Sequence, residues 1–137
     1  MTKQDSPKPT RGQLERSLSQ RLQKLYREYL GHSTGKVSCQ LSDDKLTIVV
    51  ESSLTQPEQL LLQEADAQKV EQIRAELDNA FRPKLIALVE EVLSLEVIDL
   101  MSDTTLETER TGFVIILSDA PQQSVTREKA TKARNDV

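Results

Sequence analysis

The sequence has no tryptophan and only two phenylalanines and two tyrosines, so any core it builds must be mostly Leu, Val and Ile. It has one cysteine, Cys39, which excludes an internal disulfide. One histidine, His32, beside one cysteine leaves no Cys/His set for zinc and no credible nucleophile–base triad. No run of about 18 apolar residues exists, so the chain has no transmembrane segment of its own. The N-terminus lacks an apolar stretch behind its lysine and does not read as a secretory signal. These absences point to a cytoplasmic protein. The net charge of −4 argues against a nucleic-acid partner, because neutralising phosphates needs a basic surface.

What is present fits one domain of 137 residues. Residues 1–9 and 119–137 are polar and carry no apolar period, so both read as disordered tails. The C-terminal tail spreads Arg127, Lys129, Lys132 and Arg134 among polar residues, as a solvated segment does. Between the tails, residues 10–118 form a single α+β domain, a stretch of roughly 110 residues that can bury a core without disulfides or metals.

The segment "TRGQLERSLSQRLQKLYREYLG" reads as a helix. Leu14, Leu18, Leu22, Leu25 and Tyr29 recur at spacings of four and three, with Thr10 as N-cap and Gly31 as the left-handed stop. Two alternating strands follow. Val37, Cys39 and Leu41 share one face of the first, and Leu46, Ile48 and Val50 share one face of the second. "SDDK" supplies the turn between them. Thr55 and Glu58 form a capping box, with Pro57 in the first turn of a short helix. After a break near Ala65 and Asp66, Val70, Ile73, Leu77, Phe81, Leu85, Leu88 and Val92 keep helical spacing past Pro83, which predicts one kinked helix. The last two strands are apolar on both faces. Val97 and Met101 fall on one side and Ile98 and Leu100 on the other; Phe113, Ile115 and Leu117 oppose Val114 and Ile116. The link "DTTLETER" is longer than a tight hairpin loop, and Thr105 to Thr108 can extend the strands.

The order is therefore an αββ unit twice. A shift of about 60 residues lays Val37 on Val97, Leu41 on Met101, Ser42 on Ser102 and Asp43 on Asp103, with "SD" marking the end of the first strand in each unit; common turn chemistry can produce that match as readily as duplication. The predicted architecture is a four-stranded, mainly antiparallel sheet with two long helices on one face, in the α+β class. The other face is polar on the first hairpin and apolar on the second. Such a patch calls for a cover. A second copy of the chain or another partner, meeting Val97, Met101, Val114 and Ile116, supplies one cover. The leucines of the short helix, Leu60, Leu61 and Leu62, folding over the patch supply another.

Candidate chemistry is sparse. If a pseudo-twofold relates the two units, Asp43 and Asp103 approach each other and can bind a hard cation; the bland reading is turn aspartates bonded to backbone. Glu107, Glu109 and Arg110 in the long link complete a candidate polar cluster with them, or simply form a solvated hairpin. "GHSTGK" has a helix before it and a strand after it, the reverse of a phosphate-binding loop. His32 is placed to cap carbonyls at the end of the first helix. Cys39 alternates inward and reads as an inert core thiol. No catalytic residue, cofactor or metal is assigned, and the chain is not read as an enzyme.

Three stretches, "RGQLERSLSQRLQKLYREYLGHSTGKV", "LSDDKLTIVVESSLTQPEQLLL" and "SDTTLETERTGFVIIL", resemble the MpsC-like (YbcI-type) family, long known as a domain of unknown function. The resemblance covers about Arg11 to Leu117 and is most specific in the last stretch. It implies an accessory of a sodium-translocating, membrane-potential-generating system linked to inorganic-carbon (bicarbonate) uptake. The expected role is a non-enzymatic accessory or regulatory subunit acting by protein–protein contact. Its expected partners are a second copy, as a homodimer, a membrane transport protein, or both. The expected location is cytoplasmic, peripheral to the membrane through a partner. The alternative is a homodimeric small-ligand or ion-binding regulatory module.

Overall fold

The computed structural model describes residues 8–122. The expected tails fall largely on residues 1–7 and 123–137, which lie outside the described residues.

Helix α1, Arg11–Leu30, opens on the predicted cap. The Thr10 hydroxyl accepts the Gln13 N–H at 3.1 Å, and the Gln13 side chain returns the bond to the Thr10 N–H at 2.9 Å. Gly31 closes the helix at φ 62, a conformation that costs glycine nothing. The buried stripe is Leu14, Leu18, Leu22 and Tyr26, a strict four-residue spacing. It drifts off the expected Leu25–Tyr29 line because Tyr26 finds Phe81, with ring centroids 4.8 Å apart and tilted, whereas Tyr29 stays exposed.

Strands β1, Val37–Ser42, and β2, Lys45–Val50, form the first hairpin, with Asp43 left-handed in the turn. Helix α2, Gln56–Gln63, is separated from α3, Ala67–Leu93, by Ala65 at φ 63 and the N-cap Asp66. Helix α3 runs through Pro83 without interruption. Strands β3, Val97–Thr105, and β4, Arg110–Leu117, complete the sheet. The strand order is β1-β2-β4-β3, antiparallel throughout. The chain is α+β, as its periodicities predict. Inward residues of the strands, among them Leu41, Leu46, Ile48, Val50, Leu100, Phe113, Ile115 and Leu117, join the buried stripes of α1 and α3 in one core cluster.

Two details of the second hairpin depart from the simple alternation. Val97 pairs with Leu117 and Asp99 with Ile116, so Ile98 is the extra residue of a bulge. The bulge shifts the pleat. Val97 is half-buried against the core, on the same side as Leu100, while Met101 faces the opposite way. Strand β3 also continues to Thr105, so Ser102 and Asp103 lie within it and do not end it. The link shrinks to the four residues 106–109, with Glu109 left-handed at φ 58.

That geometry revises the repeat. Ser42 faces Lys45 across the first turn, and Thr105 faces Arg110 across the second. Aligning the turns lays Leu41 on Thr104, both inward, whereas the sequence match lays buried Leu41 on exposed Met101. A shared "SD" therefore occupies inequivalent places, because a strand side chain changes face at every residue.

Candidate functional site

The outer face of the sheet is built from the residues that the core does not take. Its rows follow from strand register. Lys45, Ile116 and Asp99 lie side by side across β2, β4 and β3; next come Thr47, Val114 and Met101, then Val49, Gly112 and Asp103. Met101 is 49 % exposed and Val114 40 %, Ile116 and Val49 are half-buried, and Ile98 at the bulge is 59 % exposed. Helix α2 does not cover this surface. It packs only on α3, and Leu60 points outward at 59 % exposure. Among the described residues the patch has no intrachain cover. Of the four candidate interface residues, the structure gathers Met101, Val114 and Ile116 on this face and turns Val97 toward the core.

A second feature was not foreseen. Glu58 and Arg74 form a closed ion pair between α2 and α3. The Arg74 Nη2 donates to Glu58 Oε1 at 2.8 Å and to the Ser53 carbonyl at 2.9 Å. Glu58 Oε1 also accepts from the Thr55 N–H at 2.9 Å and the Thr55 hydroxyl at 2.8 Å, so the capping glutamate serves two purposes. Asp78, one turn beyond Arg74, sits 3.5 Å from Nη1. Burial pushes the Asp78 carboxyl above the usual range; Arg74 pulls it back, and Glu58 and Asp103 add to the rise. A hydroxyl chain lies alongside: Thr104 and Thr111 meet at 2.7 Å, and Thr111 donates to Ser53 at 2.8 Å. Beside Arg74 opens a groove of about 390 Å³ lined by Asp78, Asn79, Ser102, Asp103, Thr104 and Leu106. The signal in the sequence was an arginine four residues after Val70, on the buried stripe that continues to Phe81 and Leu85.

The candidate polar cluster does not assemble. Asp43 lies in the β1–β2 turn, at the end of the sheet where Lys45 meets Ile116. Asp103 lies toward the other end, opposite Gly112, and its carboxylate accepts the Thr104 N–H at 2.9 Å. The two aspartates cannot share an ion, because the central strands separate them along their length. Arg110 pairs with Glu51 at 2.8 Å, while Glu109 contributes its carbonyl, which accepts the Ser53 N–H at 2.9 Å. Glu107 is an exposed turn residue. No cluster of three or more potential metal ligands occurs among the described residues. His32 caps α1 through its backbone, whose N–H donates to the Tyr26 carbonyl at 3.3 Å, and not through its ring; the ring Nε2 lies 2.7 Å from the Ser52 carbonyl, tying the α1–β1 loop to the segment after β2. Cys39 is half-buried, and burial raises its thiol pKa, with Ser19 opposing the rise.

These features define a small α+β domain with one bare sheet face and one closed ion-pair hub, in which no helix among the described residues is long and apolar enough to cross a membrane. The chain belongs to the MpsC family: residues 10–119 match the family model described as "Na+-translocating membrane potential-generating system (MpsC)". No curated protein and no solved structure matches the chain.

Proposed function

We propose that the protein is a non-enzymatic accessory or regulatory subunit of a membrane sodium-translocating system, linked to inorganic-carbon transport, and that it acts by protein–protein contact from the cytoplasmic side. Family membership supports the link to a sodium-translocating, membrane-potential-generating system. The observation that carries the contact role is the bare face at Met101, Val114 and Ile116. Water-exposed side chains of this kind, set side by side on a rigid sheet, gain free energy when covered, at roughly 25 cal/mol per Å² of apolar area. The test is co-purification of tagged protein with its membrane system in mild detergent, for wild type and Val114→Glu. Recovery with wild type and loss with the variant, at unchanged helical signal, supports the reading. Equal recovery of the two removes the face from the account, and no recovery with wild type removes the accessory role.

The groove beside Arg74 favours a second reading, a homodimeric module that binds a small ligand or ion, since its size suits a small molecule and its lining mixes charge with hydroxyls. Thermal-shift titration with bicarbonate, nucleotides and divalent cations tests it. A flat response to all three would eliminate it.

A further inference from the structure

We infer that the bare sheet face is a self-complementary surface whose occupant is a second copy of this chain, docked about a two-fold axis that runs along β4. This goes beyond the accessory role proposed above and does not require it.

The inference comes from the charges that flank the apolar patch. In the row Lys45–Ile116–Asp99, a cation on β2 and an anion on β3 stand on either side of Ile116. All three strands present this row on the same side, because directly paired residues share a face. A two-fold axis along β4 leaves position along the strands unchanged and exchanges the β2 and β3 sides. Lys45 then lies over the partner's Asp99, and Asp99 over the partner's Lys45. Ile116 meets the partner's Ile116, and Val114 meets the partner's Val114. Met101 lies over the partner's Thr47. The two sheets meet nearly aligned, as stacked sheets do.

The competing two-fold, across the strands, fails on the same register. It would lay Asp99 over the partner's Asp103 and leave Lys45 facing Val49. Stacked like charges oppose association. The edges of the sheet offer no easier route, because Asp99 and Asp103 cap the outward N–H groups of Leu100 and Thr104 on β3, each at 2.9 Å. Lys45 is already held by Asp44 at 2.9 Å, so in the dimer it bridges Asp44 and the partner's Asp99.

Size decides how strong the dimer is. With the axis along β4 the outlying β1 has no strand opposite it, so three strands spaced about 4.8 Å apart, each about 20 Å long, overlap over roughly 300 Å² in projection. A stable interface uses about 800 Å² per partner, so a weak, concentration-dependent dimer is expected.

Sedimentation equilibrium over a wide concentration range tests this on the full chain, with circular dichroism as the folding control. Wild type should pass from monomer toward dimer as concentration rises. Lys45→Glu and Asp99→Lys should each weaken dimerisation about tenfold or more, since each places like charges together twice per dimer. The double variant Lys45→Glu/Asp99→Lys should restore it. A wild type that stays monomeric at the highest concentration overturns the inference, as does a double variant no better than the singles. If the face instead binds a membrane component directly, wild type stays monomeric yet still co-purifies with that component. If the dimer forms and nothing co-purifies, the accessory role fails and the self-complementary face stands.

Discussion

Glu58 and Arg74 meet at 2.8 Å with side chains only 1 % and 6 % exposed, a buried ion pair that ties α2 to α3. Glu58 is the one fully buried residue of α2. Of the three leucines of that helix, Leu60 is exposed and Leu61 and Leu62 are half-buried. The pair leaves Glu58 Oε2 and Arg74 Nε buried without a hydrogen-bond partner, so it adds little net stability, but breaking it from one side leaves a charge in a place that water does not reach.

Removal of one partner should therefore be expensive. Arg74→Met is expected to destabilise the protein by about 3–5 kcal/mol in urea denaturation. Glu58→Gln/Arg74→Met together should cost clearly less than the two single changes added. Limited proteolysis near Ala65 and Asp66 should also accelerate in Arg74→Met as α2 detaches. Additive single and double effects, with no change in cleavage, would mean that the pair does not couple the helices.

Asp78 carries a testable pH effect. Its folded carboxyl holds its proton more tightly than the ordinary Asp value of 3.8, chiefly through burial. A raised acid binds more protons folded than unfolded, so its contribution to stability falls as pH climbs from the ordinary Asp range through the raised folded value. The loss then persists at neutral pH. Asp78→Asn should remove that decline, flattening the urea midpoint against pH in the weakly acidic range relative to wild type. The net rise already includes the opposing pull of the Arg74 charge, 3.5 Å away. A variant less stable than wild type at neutral pH would show that the Arg74 contact outweighs burial.

Much of the fold was legible because its signals are local. The Thr10 and Thr55 caps, the Gly31 stop and the alternation of Val37 to Val50 each depend on a few neighbouring residues, and each appears where expected. The bulge at Ile98 was not legible. Alternation alone gives no sign that one residue will be skipped, and skipping it moved Val97 from the outer face to the core side. The meeting of Glu58 with Arg74 was hidden for another reason. A capping box already accounts for Glu58, and an arginine inside a helix normally lies in water. Only the packing of α2 on α3 gives the two side chains a common buried site. Asp43 and Asp103 misled because a two-residue match carries no information about strand register.

The edges of the sheet give the last prediction. An edge strand with bare N–H groups invites another strand to add to it. Here carboxylates fill several of those donors. On β1, Glu15 of α1 accepts the Leu41 N–H at 2.8 Å. On β3, Glu90 of α3 accepts the Val97 N–H at 2.9 Å, and Asp103 accepts that of Thr104. These acids occupy the donor and add negative charge that repels a second edge of the same kind. Asp103→Ala and Glu15→Ala should therefore raise light scattering on prolonged incubation, most strongly in high salt, which also screens the remaining acids. Exchange of the Thr104 amide with solvent should quicken in Asp103→Ala, which reports loss of the cap independently of aggregation. If both variants stay as dispersed as wild type while that amide exchanges faster, the carboxylates cap the edge without protecting it, and the twist and bulge of β3 alone keep other strands away.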